Sequence, residues 1–465
     1  MFNCKSKLEG ETEMKLKSMV VILLVMFPAC LFVQNVLAEV SAQEAAKLKT
    51  TLTPVGAERA GNADGTIPAW EGGYTTVPAG YKSGDLRPDP FADEKAIYTI
   101  DAKNMGQYAD KLSEGVKALL KKYADFRLDV YPTHRTAAAP QFVYDATFKN
   151  ATTAKTIDDN EVVDGAYNGI PFPIPQNGYE AIWNHTLAWR GLAMFTKLRN
   201  YIITASGKAV LTAEAEEYEQ YPYYRNDIPV EQWNHKFWFF RQIQTAPPFK
   251  AGETILAHDD MGGNGRQNWQ YLVGQRRVRR APSIGYDTPD FVNSGHNFFD
   301  EVFVFHGPLD RYDWKLVGKK ELYIPYNCNG FLAHKDKEVL GSHFLNPDYV
   351  RWELHRVWVV QADLKQGKRH AVAKRVFYLD EDAWRAILAD GWDGQGQLWR
   401  TTISLPIIVM EYPAVTNFTQ ALYNLQTGAY GTNILVNEVS PQFQAIAPKP
   451  DSFFSPESLA ATGIR

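Results

Sequence analysis

The segment Arg351–Asp363, RWELHRVWVVQAD, is the stretch that most clearly predicts the fold. One face of it carries Trp352, Leu354, Arg356, Trp358 and Val360, and the other carries Glu353, His355, Val357 and Val359. A period of two is typical of a β-strand, because successive side chains point to opposite faces of a sheet. The turn sequence KQGK at 365–368 returns the chain along His370–Leu379, which predicts an antiparallel hairpin.

The same period recurs on both sides of this hairpin. It predicts further strands at Lys236–Ile243, Trp269–Val278, Glu301–Phe305, Trp314–Ile324 and Gln397–Glu411. The basic cluster Arg276–Arg280 falls within this pattern, which favours an exposed strand face or edge. The net charge of −4 also offers no basic footprint, so we expect no nucleic-acid partner.

Helical composition or spacing is found in four shorter stretches. They are residues 39–49, residues 105–123, Tyr179 to near Gly191, and Asp380–Leu388. The last begins with three acids, which the dipole of a helix favours in its first turn. These patterns predict a mainly β (α+β) fold, a large curved antiparallel sheet or open β-barrel with helices that cover or plug it.

Residues 39–104 are expected to form an extended N-terminal arm ahead of a β-rich domain at 105–465. Proline and glycine recur from Pro54 to Pro90 and exclude a regular helix there. Trp70, Tyr74 and Tyr81 lie in the same stretch and need a surface on which to pack. We therefore interpret the arm as an ordered strap over the domain.

Aromatic residues make up 13% of the chain and are distributed through the predicted strands. They either fill the interior or line a cavity for a lipid-like ligand, and the sequence leaves both interpretations open. The bulky positions of the strands give the candidate ligand-binding residues Trp238, Phe240, Phe303, Phe305, Trp352, Leu354, Arg356 and Trp358. Arg356 would meet an anionic headgroup at the cavity mouth or pair with a carboxylate, and pairing is the favoured interpretation.

Signals of catalysis and of metal or cofactor binding are weak. The ten histidines form no His-x-x-x-His or His-Glu-x-x-His pair, and there is no Gly-x-Ser-x-Gly elbow. The glycine-bearing stretches His258–Gly265 and Asp390–Gly396 fit turns better than a phosphate or calcium loop. We expect no catalytic residue, metal site or cofactor.

The N-terminus predicts a signal peptide at residues 1–38. Lys15 and Lys17 precede an apolar run over Ser18–Val33, and Val36-Leu37-Ala38 fits a signal-peptidase site. The run is shorter than the roughly 20 residues that cross a bilayer, although an uncleaved anchor is the alternative. The polar residues before Met14 suggest a misassigned start codon, and Phe27-Pro28 disfavours lipidation at Cys30. The mature chain would keep Cys328 alone.

Several blocks resemble the proteobacterial domain-of-unknown-function 1329 family. The opening LTPVGAERAGN at 52–62 with DGTIPAW at 64–70 is similar to the family's first motif. GQRRVRRAP at 274–282, IPYN at 324–327 and HRVWVV at 355–360 resemble its later blocks. This resemblance covers nearly the whole mature chain, and the family brings no established biochemical function with it.

The C-terminal half is similar to the outer-membrane lipoprotein-sorting (Lol) carriers, which implies an open barrel around an acyl-chain cavity. Members of the 1329 family are often encoded beside exporters of the resistance-nodulation-division superfamily. The resemblance therefore implies a periplasmic carrier for a lipid or other hydrophobic ligand, with such an exporter and outer-membrane components as partners. An envelope hydrolase and a non-binding structural adaptor of an export system are the alternatives.

We predict that the chain is cleaved after Ala38 during export. N-terminal sequencing of protein from a periplasmic extract should begin at Glu39, because the small residue at Ala38 ends the apolar run. Recovery of a full-length form embedded in the membrane would contradict cleavage.

Overall fold

The computed structural model describes residues 40–282 and 284–462. The predicted signal peptide and Cys30 lie outside these residues. Within them, no helix has the length and apolar character that would let it cross a membrane.

Most of the described chain forms one large sheet and a small separate hairpin. The strands are β1 Tyr98–Ile100, β2 Leu128–Val130, β3 Lys155–Ile157, β4 Val162–Asp164, β5 Ala193–Ile203, β6 Ala209–Gln220, β7 Lys236–Ala246, β8 Thr254–Asp260, β9 Gly265–Leu272, β10 Arg277–Arg280, β11 Tyr312–Pro325, β12 Arg351–Leu364, β13 Lys374–Asp380, β14 Ala386–Trp392, β15 Leu398–Val409, β16 Ala414–Asn424, β17 Tyr430–Leu435 and β18 Gln444–Ala445. The hairpin is β3–β4. All other strands belong to the large sheet.

The large sheet runs in the order β1-β2-β12-β13-β14-β15-β16-β17-β5-β6-β7-β8-β9-β10, with β11 paired to β12 and β18 to β5. Its neighbours are antiparallel except β2 and β12, which pair in parallel at Arg351 and Trp352. The sheet is not closed into a barrel in the part of the chain that the structure describes, since β1 and β10 lie at opposite ends of this order. The predicted β-rich fold is confirmed, as a mixed open sheet.

Short helices lie outside the sheet. They are α1 Ala42–Ala45, α2 Glu114–Lys122, α3 Gln141–Thr153, α4 Gly178–Thr186, α5 Asp336–Val339 and α6 Pro456–Thr462, with 3-10 turns at Ala46–Lys49, Met105–Lys111, Pro222–Tyr224, Val230–Gln232, Val273–Gln275, Phe299–Glu301, Cys328–Ala333, Pro347–Tyr349 and Asp451–Phe454. The predicted helix at 105–123 is interrupted at Ser113, whose extended backbone and side chain cap α2. The helix beginning near Tyr179 ends at Thr186, and β5 follows.

The prediction of a helix at Asp380–Leu388 is wrong. The chain makes a tight turn from β13 to β14, in which Trp384 takes a left-handed φ of +56°. The Asp380 carboxylate accepts a hydrogen bond from the Ala383 N–H at 2.8 Å, which stabilises this turn. The acids that resembled a helix start instead pair with basic side chains of other segments.

The prediction of a strand at Glu301–Phe305 is also wrong. Phe299–Glu301 is a 3-10 turn, and Phe303 and Val304 have φ of +52° and +72°, which a strand does not allow. The alternation of apolar residues here arises from a loop that packs its side chains onto the sheet. Phe303 and Phe305 are both buried in this way.

The arm crosses the domain surface as an ordered strap. Trp70 donates through Nε1 to the Ala137 carbonyl at 2.9 Å, and Arg87 forms a 2.6 Å ion pair with Glu411 beyond β15. Ile67 is 1% exposed and belongs to the main hydrophobic core. These contacts hold the arm against the rest of the described chain.

Arg135 joins the arm to the turn between β13 and β14. Its guanidinium donates to both Asp382 carboxylate oxygens at 2.7 and 2.8 Å. It also donates to the carbonyls of Glu58 at 2.7 Å and Pro68 at 3.3 Å in the arm. Both charged side chains are about 2% exposed, so water cannot replace either partner.

Replacement of Arg135 is expected to destabilise the fold strongly. Arg135→Met leaves the Asp382 carboxylate buried without its cation, which typically costs about 3–5 kcal/mol in the free energy of unfolding. Arg225→Met is the matched control, since it pairs with the exposed Asp227 and such pairs contribute about 0–1 kcal/mol. Chemical denaturation of both variants measures the difference, and equal small losses would contradict the role of Arg135.

Candidate functional site

The main cavity lies between the β5–β9 part of the sheet and the loop segment 284–306. About 710 Å³ of space unoccupied by protein atoms lies within it, including space that is open to solvent. Its wall is formed by Leu198, Asn200, Glu217, Trp238, Phe240, Gln242, Ile255, Ala257, Arg266, Asn268, Ile284, Asp290, Val292, Phe299, Val302, Phe303, His306, Asn433 and Ile434. Most of these side chains are aromatic or aliphatic, so the cavity is suited to an apolar ligand.

Aromatic rings from β7 and from the loop segment form one side of the cavity. Trp238 and Phe240 point to the same face of β7, as residues two apart in a strand do, and their rings stack with centroids 4.9 Å apart. Phe303 lies against Trp238 with centroids 6.3 Å apart in an edge-on arrangement. Trp238 is held in place because its Nε1 donates to the Glu219 carboxylate at 2.7 Å.

A buried charged group borders the cavity at the end of β8. The Arg266 guanidinium donates to both oxygens of Asp259 at 2.7 Å, and His306 Nε2 lies 2.6 Å from Asp259 Oδ2. Burial alone would raise the pKa of Asp259, but the Arg266 charge and these hydrogen bonds hold it below its ordinary range. Burial and the Arg266 charge lower the pKa of His306 to about 4, so its ring is neutral at neutral pH.

A second cavity lies on the other side of this charged group. Asp259, Arg266 and His306 line it together with Trp183 and Phe237. The charged group therefore stands where the two cavities adjoin. The side chains of Arg266 and His306 therefore line both cavities.

Two glutamates of β6 contribute buried acids next to the main cavity. Glu217 accepts a hydrogen bond from Gln242 Nε2 at 2.9 Å, and Glu219 accepts from Trp238 and Tyr221. Burial, reinforced by the neighbouring Glu219 charge, raises the pKa of Glu217 well above its ordinary range. Burial and the neighbouring carboxylate therefore favour the protonated form of Glu217 over the charged form.

Three of the eight predicted site residues meet at the main cavity, namely Trp238, Phe240 and Phe303. Phe305 is predicted to line the same cavity but packs on Trp314 and Phe377 in the core. The ligand-binding role of the three cavity residues stays a prediction.

The four predicted site residues of β12 lie elsewhere. Trp352 and Leu354 are buried in the core, and Trp358 stacks on Trp384 at 6.0 Å. Arg356 pairs with Glu381 at 3.3 Å and donates to the Ala60 carbonyl of the arm. The prediction that Arg356 pairs with a carboxylate is confirmed, and its alternative position at a cavity mouth is not found in the structure.

Sequence reasoning missed the acids of β6 and the histidine of the loop segment. Glu217 and Glu219 share a strand face with Ala213 and Ala215, and all four are buried. The available signal was the presence of carboxylates on the strand face that also carries Ala213 and Ala215. His306 had no such signal, because it meets Asp259 only through the tertiary fold.

His355, Asp380 and Asp382 form a buried group whose ligand atoms are close enough to hold one metal ion. The protein already supplies partners to most of these atoms: Arg135 binds both Asp382 oxygens, and Glu353 lies 3.1 Å from His355 Nε2. We interpret this group as part of the network that fixes the arm.

The buried acid Glu217 should make stability depend on pH. Because its folded-state pKa is raised, the folded chain holds a proton that the unfolded chain releases above about pH 4.3, so the free energy of unfolding falls as pH rises through this window. Glu217→Gln should remove this loss. The free energy of unfolding of the variant, relative to that of the native protein, should therefore be higher at pH 8 than at pH 4.5. Glu216→Gln, on the opposite face of β6, is the control. Equal pH dependence of all three proteins in denaturant titrations would contradict a raised pKa of Glu217.

One family model and one curated relative each match most of the chain. The family model described as "Protein of unknown function (DUF1329)" matches residues 99–460. The chain is 40% identical over 440 residues to uncharacterized protein PA3922 of Pseudomonas aeruginosa, a match that covers 94% of this chain and 96% of that protein.

Two solved structures show more distant likeness. A DUF1329 family protein from Desulfovibrio piger aligns with a TM-score of 0.42 at 14% identity, covering 61% of this chain and 97% of that chain. The LolA superfamily protein NE2245 from Nitrosomonas europaea aligns with a TM-score of 0.34 at 10% identity, covering 60% and 98%. The extent of the family match and the 40% identity together establish that the chain belongs to the DUF1329 family.

Proposed function

We propose that the chain is a periplasmic binding or carrier protein for a lipid or another hydrophobic ligand, which it holds in the main cavity. The observation that carries this proposal is a cavity walled by stacked aromatic rings and aliphatic side chains. Small-molecule sites in proteins have this mixture of apolar walls with a few polar groups. Each Å² of apolar ligand surface buried there contributes about 25 cal/mol.

The polar groups of the cavity fit binding better than catalysis. A hydrolase would use the Asp259–His306 pair as a base, and it would need a hydroxyl or thiol nucleophile beside the His306 ring. The described residues that line the main cavity include no serine, threonine or cysteine. Cys328 is buried within another part of the core, where burial raises its thiol pKa and disfavours the reactive thiolate.

The location and partners of the carrier belong to the same proposal. The N-terminal pattern of residues 1–38 supports export to the periplasm, with a peripheral position at the outer membrane. A resistance-nodulation-division exporter and outer-membrane components would then deliver or receive the ligand. A structural adaptor that binds nothing is the competing proposal, and its interior would be filled by its own side chains.

A substitution that fills the cavity should abolish binding without removing core contacts. Ala257 lies on β8 and lines the cavity, so Ala257→Trp places an indole where the ligand would lie. We expect the affinity for Nile red, a neutral apolar dye, to fall at least tenfold in a fluorescence titration.

The matched control introduces the same side chain at Ala209, an exposed residue at the start of β6. Ala209→Trp should bind the dye as the native protein does. Failure of the native protein to bind Nile red, or equal binding by a folded Ala257→Trp variant, would contradict a ligand in this cavity.

A further inference from the structure

The strand β10 lies at one end of the large sheet and carries a cluster of exposed arginines. It pairs with β9 on one side and is the last strand in the order of the sheet. Four arginines of the β9–β10 turn and of β10 are exposed, and we call them the basic edge: Arg276, Arg277, Arg279 and Arg280. In residues 40–282 and 284–462 none of them forms an ion pair with a carboxylate, and Arg279 donates to the neutral side chain of Gln270 at 3.1 Å.

The acids of the adjoining segments do not neutralise the basic edge. Glu253 lines a groove together with Arg279 and Arg280, and Lys250 lines the same groove and adds a further cation. Glu457 belongs to α6, which packs against β10. Even with both glutamates counted, the four arginines leave a local positive charge. The whole chain has a net charge of −4, so this excess of positive charge is confined to one end of the sheet.

The turn between β7 and β8 lies beside the basic edge and exposes an aromatic ring. Phe249 in this turn is 80% exposed, and Val273 in the β9–β10 turn is 37% exposed. Because β7, β8 and β9 are antiparallel neighbours, the two turns lie at the same end of the sheet. They also touch, since a Cβ added at Gly252 would lie 2.9 Å from Val273 Cγ2. An apolar ring therefore protrudes into solvent next to the arginines.

We propose that the basic edge and Phe249 dock the protein onto the surface of an anionic phospholipid bilayer. Anionic lipids attract clusters of basic residues that come close to the membrane surface. The guanidinium groups bind lipid phosphates through paired hydrogen bonds, and the phenyl ring enters the boundary between the headgroups and the acyl chains. Charged side chains on an edge strand also prevent two sheets from joining, but that role does not account for the exposed ring beside them.

Docking at this end of the sheet brings one side of the main cavity towards the lipid. Ile284 and Phe299 line both the groove beside the basic edge and the main cavity. The inference goes beyond the carrier function proposed above and does not depend on it, because a protein with an empty cavity would dock in the same way.

Co-sedimentation of the purified mature protein with vesicles tests the docking directly. Vesicles of phosphatidylcholine that contain one third phosphatidylglycerol are compared with vesicles of phosphatidylcholine alone, at low and at high salt. We expect the affinity for the anionic vesicles to be at least tenfold higher, and to fall as salt screens the charges of the two surfaces. A native protein that binds neither kind of vesicle, or binds both equally, would overturn the inference.

Variants then assign the binding to this end of the sheet. Arg277→Gln combined with Arg280→Gln should lower the affinity for anionic vesicles at least tenfold, and Phe249→Ser should lower it to a smaller extent, since all three side chains are exposed. Lys95→Gln combined with Lys103→Gln is the matched control, because it removes the same charge from exposed residues on either side of β1, at the opposite end of the strand order. Undiminished binding by the arginine variant, or an equal loss in the control, would overturn the inference.

The filled-cavity variant separates this inference from the carrier function. Ala257→Trp should bind anionic vesicles as the native protein does, although it loses Nile red. Failure of the native protein to bind the dye contradicts the carrier function alone, whereas failure to bind anionic vesicles contradicts the docking alone.

Discussion

The contact between the Arg135 guanidinium and the Asp382 carboxylate is the interaction on which the architecture depends. It fixes the turn between β13 and β14 to the arm, because the same guanidinium also binds arm carbonyls. The arm then covers a sheet face that would otherwise expose Trp358 and Trp384 to water. An open sheet has no second sheet to bury its faces, so an ordered strap and short helices must do so. The buried ion pair between Arg135 and Asp382 therefore holds the arm against the sheet.

Because the arm covers the sheet, the sequence predicts the strands but does not indicate which of their faces lines a cavity. The alternation along β12 identified a strand correctly, but residues of both its faces are buried, so an apolar face did not indicate a cavity. Trp358 was chosen from that pattern and lies under the arm, where Lys319 also packs on its ring. The partner of Arg135 could not be read from the sequence, since 247 positions separate it from Asp382. Local sequence patterns predict individual strands. Contacts between residues far apart in the sequence determine which segment packs against each face of a strand.

In the candidate site, too, some residues can be predicted from the sequence whereas others require the structure. Trp238 and Phe240 were predicted from strand alternation, because both the pattern and the cavity depend on one face of β7. Phe303 was selected as a strand residue and reaches the cavity from a loop instead. The polar groups that border the cavity, Asp259, Arg266 and His306, come together only through the fold. A hydrophobic cavity can be anticipated from aromatic content, whereas the chemistry of its polar end requires the structure.

The central claim is that the main cavity holds a lipid-like ligand in the cell. Native mass spectrometry of protein released gently from the periplasm tests it most directly, with lipid extraction to identify whatever dissociates. We expect a population whose mass exceeds that of the mature chain by one bound lipid-like ligand, which is lost on collisional activation and absent from the Ala257→Trp variant. A single unliganded mass, with no lipid in the extract of folded protein, would contradict it.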